Sequence, residues 1–232
     1  MPVASRRAAL VPAAGLGVRL GDVASAAARQ PKAFRTLAGT SLVHRCAEVL
    51  LELCDEVVVA VPGTYLDLAR EDLGGLGPNV RLVVGGADRQ ESVARALAVA
   101  DADAEVILVH DAARPLVPHD VVRRVLDALD AGAPAVVPAL HVADSLRHLR
   151  ADGGSAPVDR SLVRAIQTPQ GFRRTLLERA HAAGLGAGVT DDASLVERLG
   201  VPVTLVEGDP LAFKITRPLD LLLAEAVLAA QR

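Results

Sequence analysis

EVILVHDAARPLVPHDVVRRVLDALDAGAPAVVPAL, residues 105–140, carries the fold in miniature. Its first part, EVILVHDAA (105–113), is a short apolar run rich in β-branched residues and reads as a buried strand. HDVVRRVLDALDAG (119–132) then repeats apolar residues at the helical period, and AVVPAL (135–140) is apolar and β-branched again. Strand, helix, strand within 36 residues is the unit from which parallel sheets are built. The same alternation extends upstream. AALVPAA (8–14), EVVVAVP (56–62) and VRLVVGG (80–86) read as strands, with helical periodicity in SLVHRCAEVLLEL (41–53) and DRQESVARALAVAD (88–101). The expected fold is α/β: a mostly parallel sheet covered by helices on both faces.

Residues after 140 break this order. LHVADSLRHLRADGGSAPVDRSLVRAIQTPQ alternates loosely around an Asp152-Gly153-Gly154 turn signal, which predicts a hairpin or arm over about 140–162 inserted into the sheet order. A helix near 173–183, the segment TDDASLVERLG (190–200), a strand VPVTLVEG (201–208) and a final helix over 218–230 complete the reading. The expectation is a single domain over 1–232 carrying that arm.

Composition narrows the function. A 51% hydrophobic and 23% charged chain is globular rather than disordered, and a net charge of −3 argues against a general nucleic-acid binder. Arg6 and Arg7 before apolar residues resemble the start of a signal peptide, but Pro12, Gly15, Gly17 and Arg19 interrupt that run too early. No stretch approaches 18 uncharged apolar residues, so no membrane span is expected. Cys46 and Cys54 stand eight apart in a helical pattern without a CxxC or a nearby histidine pair. That argues against a disulfide framework and a zinc site, and fits a reducing cytoplasm. All but two of the 25 basic residues are arginine. The two lysines, Lys32 and Lys214, mark places where a compact ammonium on a flexible stem would serve and a planar fork would not.

Ligands of such sheets bind beyond the carboxyl ends of the strands. This points to Gly15–Arg19, Gly85–Ser92 and His110–Arg114. The first of these lies in LVPAAGLGVRLG (10–21), a glycine-rich loop at a strand exit. Its glycines are spaced G-x-G-x-x-x-G, and no carboxylate closes the second strand, so a dinucleotide site is excluded. No Lys-Ser or Lys-Thr pair exists anywhere, which excludes a P-loop. What survives is a triphosphate clamp. Backbone N–H groups of residues 14–17 would donate to phosphate oxygens, Arg19 would offer a fork, and Lys32 a movable point charge.

VPAAGLGVRL, PKAF, VHDAARPLV, QTPQGF, TDDASLVE and FKITRPLDL occur in this order along the chain. Together they resemble the 2-C-methyl-D-erythritol 4-phosphate cytidylyltransferases over about residues 8–230. The resemblance implies a Rossmann-like fold whose inserted β-arm mediates a homodimer. It also implies a reaction joining CTP to 2-C-methyl-D-erythritol 4-phosphate with Mg²⁺ as cofactor. It places CTP on Ala13, Ala14, Gly15 and Arg19, with Arg19 and Lys32 stabilising the transition state, and the cytidine end on Gly86 and Ser92. Asp111 would contact substrate hydroxyls or help hold the metal, otherwise carried by the CTP phosphates. Ala112 lies at the same strand exit, and Arg114 would bind the methylerythritol phosphate side. Thr168 and Thr190 match further pocket positions. Arg160 and Lys214 would orient the attacking phosphate. Asp144, Ser145 and Arg160 lie on the arm and would serve the neighbouring subunit. His110, after a buried run, reads as a hydrogen-bonded structural histidine rather than a base, and the aspartates of TDDASLVE read first as a helix cap.

Three rivals stay open at this point: a cytidylyltransferase for another polyol phosphate such as ribitol 5-phosphate, a sugar-nucleotide pyrophosphorylase, and a nucleotide-binding regulator without turnover.

Overall fold

A computed structural model describes residues 5–15, 31–184 and 191–231. Among the described residues, eight strands meet in one sheet. β1 (Arg6–Pro12) lies at its centre, with β4 (Glu56–Val61) and β5 (Val80–Val84) in parallel on one side and β6 (Ala104–Val109) in parallel on the other. Beyond β6 come β11 (Gln170–Arg173), β7 (Ala135–His141) and β12 (Thr204–Glu207). β10 (Arg164–Ile166) pairs with the far end of β7 and, like β11, runs antiparallel to it. The expected mostly parallel sheet is therefore present, with one interrupted antiparallel line, β10–β11, let into it.

Helices cover both faces, and the alternation within each strand assigns the sides. Ala9, Val11, Val57 and Val59 meet α1 (Leu42–Leu51), α2 (Leu66–Leu73) and α4 (His119–Asp130). Ala8, Leu10, Val58 and Ala60 meet α3 (Arg89–Val99), α5 (Arg174–Gly184) and α6 (Asp192–Arg198). All six residues of β4 are buried, which is why it reads as an unbroken apolar run rather than an alternating one. α4 buries Val121, Val122, Val125, Leu126 and Leu129, a single stripe at helical spacing. A Cβ at Gly171 would stand 2.6 Å from Val125 Cγ1, so the glycine lets α4 pack directly on β11.

α7 (Pro218–Ala230) closes a smaller cluster through Ala224, with Leu37, Leu42 and Ile215. The inserted hairpin is formed by β8 (Arg147–Leu149) and β9 (Ser155–Pro157), turning through Gly153 at positive φ. Beyond it, RAIQTPQ belongs to the main sheet instead of to the arm. The loose alternation of that segment comes from the break at Thr168-Pro169, across which the pairing with β7 jumps from Ile166–Ala139 to Gly171–Val136. The short β2 (Thr36–Leu37) and β3 (Thr40–Ser41) form a separate ribbon before α1. No helix among the described residues is long and apolar enough to cross a membrane.

Candidate active site

The carboxyl ends of β1, β5 and β6 open on the same edge of the sheet and line a cleft of about 520 Å³. Ala13, Ala14 and Gly15 leave β1, Gly86 and Ser92 follow β5, and Asp111 and Ala112 follow β6. The backbone at the β1 exit is fixed by Ala13 N–H, which donates to Ala60 O at 2.8 Å. The β5 exit is drawn against it, since a Cβ on Gly85 would stand 2.5 Å from Ala14 Cβ; only glycine allows that approach. Ser92 Oγ accepts the Gly86 N–H at 3.0 Å and donates to Asp88 O at 2.7 Å. Its hydroxyl thus shapes the Gly-Gly turn at the edge of the cleft. Asp88 is the N-cap of α3, accepting from Glu91 N at 2.8 Å.

Both lysines of the chain line this cleft. Lys32 opens a 3₁₀ turn whose next two residues, Ala33 and Phe34, are buried, with Phe34 stacked on Tyr65 at 6.4 Å. That anchoring leaves the preceding side chain at the cleft wall. Lys214 is placed similarly, between buried Ala212 and buried Ile215, and the Ile215 N–H donates to Ala113 O at 2.8 Å.

Asp111 is the centre of charge. Its Oδ2 accepts from Lys214 Nζ at 2.6 Å and its Oδ1 from Arg89 Nε at 3.2 Å. Burial alone would favour the neutral acid. The charges of Arg89 and then Lys214 outweigh it and hold the carboxyl well below the usual range, so Asp111 is ionised at every working pH. Arg89 continues inward: its Nη1 donates to Asp192 Oδ2 at 2.7 Å, and Asp192 Oδ1 meets His181 Nε2 at 2.9 Å. Lys214, Asp111, Arg89, Asp192 and His181 form one line of alternating partners from cleft to core.

Behind Asp111 lies a second, uncharged chain. Asp111 N–H donates to Thr168 Oγ1 at 3.0 Å, Thr168 Oγ1 and His110 Nδ1 are 3.2 Å apart, and His110 Nε2 lies 3.2 Å from Arg114 O. A carbonyl can only accept, so Nε2 carries the proton, Nδ1 accepts, and the Thr168 hydroxyl donates to it. Burial holds the imidazole neutral, pushing it down to about 4 against the partial support of the Asp111 charge. His110 is therefore the structural histidine expected, with both ring nitrogens engaged. Because its folded-state value lies below its ordinary 6.5, the unfolded chain binds the extra proton between those limits. Stability is expected to fall by about 3 kcal/mol as pH drops from about 6.5 to about 4. Urea unfolding of wild type and His110→Asn at pH 7, 5 and 4 checks this. The variant should be weaker at pH 7 but lose less on acidification, and equal losses would reject the assignment.

The predicted site residues separate into groups. Ala13, Ala14, Gly15, Lys32, Gly86, Ser92, Asp111, Ala112 and Lys214 come together around the cleft. Thr168 is buried one layer behind it. Arg114 points its Nη1 to Ala212 O at 2.6 Å and its Nη2 to Ile166 O at 3.2 Å, bracing the cleft floor against β10. Ser145 and Arg160 are exposed at the base of the hairpin, where Arg160 Nη1 donates to Ala143 O. Arg19 and Thr190 lie outside the described residues.

Sequence reasoning does not single out Arg89, Asp192 or His181 as a linked set. The available signal is the pair of aspartates in TDDASLVE. Only one can cap a helix, and Asp191 does so, accepting from Ser194 N at 3.2 Å, which leaves Asp192 for another partner.

A parallel sheet that opens a glycine-edged cleft at its strand ends, with lysines and a held carboxylate rather than a nucleophile and base, has the build of a nucleotidyltransferase. The 2-C-methyl-D-erythritol 4-phosphate cytidylyltransferase family model, IspD, matches residues 7–230. A protein of that name from Nocardia farcinica is 50% identical over 95% of this chain and 93% of its own length. One from Frankia casuarinae is 49% identical over 99% of this chain and 84% of its own length. The crystal structure of 2-C-methyl-D-erythritol 4-phosphate cytidylyltransferase from Thermus thermophilus superposes with a TM-score of 0.77 at 39% identity, covering 97% of this chain and 99% of that one. The 4-diphosphocytidyl-2C-methyl-D-erythritol synthase structure from Anaerococcus prevotii gives 0.84 at 26% identity, covering 98% and 99%. The chain belongs to the 2-C-methyl-D-erythritol 4-phosphate cytidylyltransferase family.

Proposed function

We propose that the protein transfers CMP from CTP to 2-C-methyl-D-erythritol 4-phosphate, releasing pyrophosphate and forming 4-diphosphocytidyl-2-C-methyl-D-erythritol. The observation that carries the reading is the convergence of the chain's two lysines on the cleft that holds Asp111. The nucleophile is a phosphate monoester, ionised near pH 7 because its second pKa is about 6, so no base has to take a proton from it. One of its oxygens attacks the α-phosphorus of CTP as the bond to the β-phosphate oxygen breaks and pyrophosphate leaves. The protein's task is to bring two anions into line and to hold the charge that gathers on the α-phosphoryl oxygens. Lys32 and Arg19 serve the triphosphate, and Lys214 the incoming phosphate. The N–H groups of the β1 exit cradle the phosphates, and the Gly86 turn takes the cytidine end.

Mg²⁺ is read as arriving on CTP, where it neutralises phosphate charge. Among the described residues no three His, Cys, Asp or Glu side chains cluster as a metal site, and both Asp111 oxygens already accept from cations. Asp111 fits as a single protein contact to a cation whose other ligands are phosphate oxygens. We read the chain as a single nucleotidyltransferase domain acting in a homodimer, with Ser145, Arg160 and the hairpin delivered to the partner's cleft. The exposure of Leu149 (77%) and Leu162 (83%) supports this. A cytoplasmic setting is supported by two free, buried thiols, with Cys54 pushed up to about 12 chiefly by burial.

Pyrophosphate release measured over a panel of nucleotides and acceptors tests the function. Turnover is expected with CTP, Mg²⁺ and methylerythritol phosphate together. Equal or better turnover with ribitol 5-phosphate would overturn the acceptor. CTP binding without turnover of any polyol phosphate would overturn the enzyme itself.

A further inference from the structure

Asp111 is gripped by two cations of different standing. Lys214 approaches Oδ2 from the cleft and keeps 44% of its side chain exposed, on a stem free to swing. Arg89 also lines the cleft, with 28% of its side chain exposed, but while it meets Oδ1 it is pinned at its other end by Asp192, whose side chain is 1% exposed and is itself held by His181. One cation is thus able to move and the other is not. We propose that Arg89 is a positioning residue for phosphoryl transfer: it holds the Asp111 carboxylate in place while Lys214 exchanges that carboxylate for the incoming phosphate. The proposal rests on the reading of Lys214 as the ligand of the attacking phosphate.

The exchange explains why two cations are needed. With Lys214 as its one partner, a buried Asp111 would lose its compensation when Lys214 turned to the substrate, and the carboxylate would hold the ammonium back. With Arg89 in place, the carboxylate keeps a charged hydrogen bond throughout, so Lys214 leaves at lower cost. Arginine suits the post because its fork spans two carboxylates at once, Nε to Asp111 and Nη1 to Asp192.

The groups around Asp111 allow this reading. Arg89 faces it from α3, Lys214 from the loop before α7, and Arg114 contributes charge from the loop after β6. Lys32 lines the same cleft. Neutral His110 and Thr168 lie behind, and Cys46 Sγ of α1 meets the Asp111 carbonyl at 3.9 Å. Asp88 is occupied at the α3 cap, and Asp192 and His181 lie beyond Arg89.

The test uses the scarcity of lysine. With labelled lysine the full-length protein gives two side-chain signals, assigned by Lys32→Arg and Lys214→Arg. The Lys214 signal reports the contact with Asp111 without any substrate. At pH 7, Arg89→Gln should move and broaden that signal, because the carboxylate that Lys214 meets is no longer held at its other oxygen. Kinetically, Arg89→Gln should lower kcat by about 10- to 30-fold with the KM for CTP changed less than about threefold. Arg89→Lys keeps the charge without the span and should recover part of the loss; it carries the test if Arg89→Gln does not fold. An unmoved Lys214 signal or an unchanged kcat overturns the proposal. A moved signal in a protein whose wild type turns over no polyol phosphate leaves Arg89 holding Asp111 and overturns the functional reading instead.

Discussion

Asp111→Asn is expected to lower kcat by about 10²–10³-fold, the range typical for removing one preorganised electrostatic contact at a reacting phosphate or oxyanion. The substitution keeps the shape of the side chain and removes its charge. Lys214 then loses the partner 2.6 Å away that sets its position, and Arg89 keeps one carboxylate, Asp192, where it had two. The same change should cost about 1–2 kcal/mol of stability, because two charged hydrogen bonds are weakened while the half-exposed Lys214 can turn to water and Arg89 keeps Asp192. Steady-state kinetics and urea unfolding read the two effects separately. Activity within about threefold of wild type would remove Asp111 from the mechanism.

Lys32→Arg and Lys214→Arg form the second expectation. Each keeps the positive charge, yet each should reduce kcat by about 10²-fold. For Lys214 the reason lies in the exchange between Asp111 and phosphate. A guanidinium is longer than an ammonium, planar, and able to grip a carboxylate with two parallel hydrogen bonds. At position 214 it would hold Asp111 at least as well as lysine and release it less readily. Stability of Lys214→Arg should therefore stay within about 1 kcal/mol of wild type while turnover falls. At position 32 the larger head would press into a cleft of about 520 Å³ shared with the triphosphate. If both variants stay near wild-type rates, the scarcity of lysine in this chain reflects composition and nothing more.

Much of this is legible before any coordinates. The apolar runs at 8–14, 56–62 and 135–140 are strands because strands inside the sheet are buried on both faces and cannot carry polar alternation, while 80–86 is the half-buried edge strand, legible from its β-branched residues. The glycine-rich exits and Asp111 follow from the rule that such sheets bind ligands at their carboxyl ends, and the lysines stand out by count alone. The short helix α2 and the strand pair β10–β11 do not stand out. α2 is only eight residues long, and the break at Thr168-Pro169 hides strand periodicity in a segment that also follows a hairpin. Arg114 reads in sequence as a substrate ligand, and its contacts with the carbonyls of Ala212 and Ile166 depend on segments 98 and 52 residues away.

The sequence by itself determined the layer architecture, the edge of the sheet where ligands bind, and the residue types that meet there, because each of these follows from local periodicity and chain order. Which charges pair was decided only by the tertiary structure. Arg89 lies 22 residues from Asp111 and 103 from Asp192, and Lys214 lies 103 from Asp111. Ion pairing depends on distance and burial in three dimensions, and neither has a period that a sequence can display.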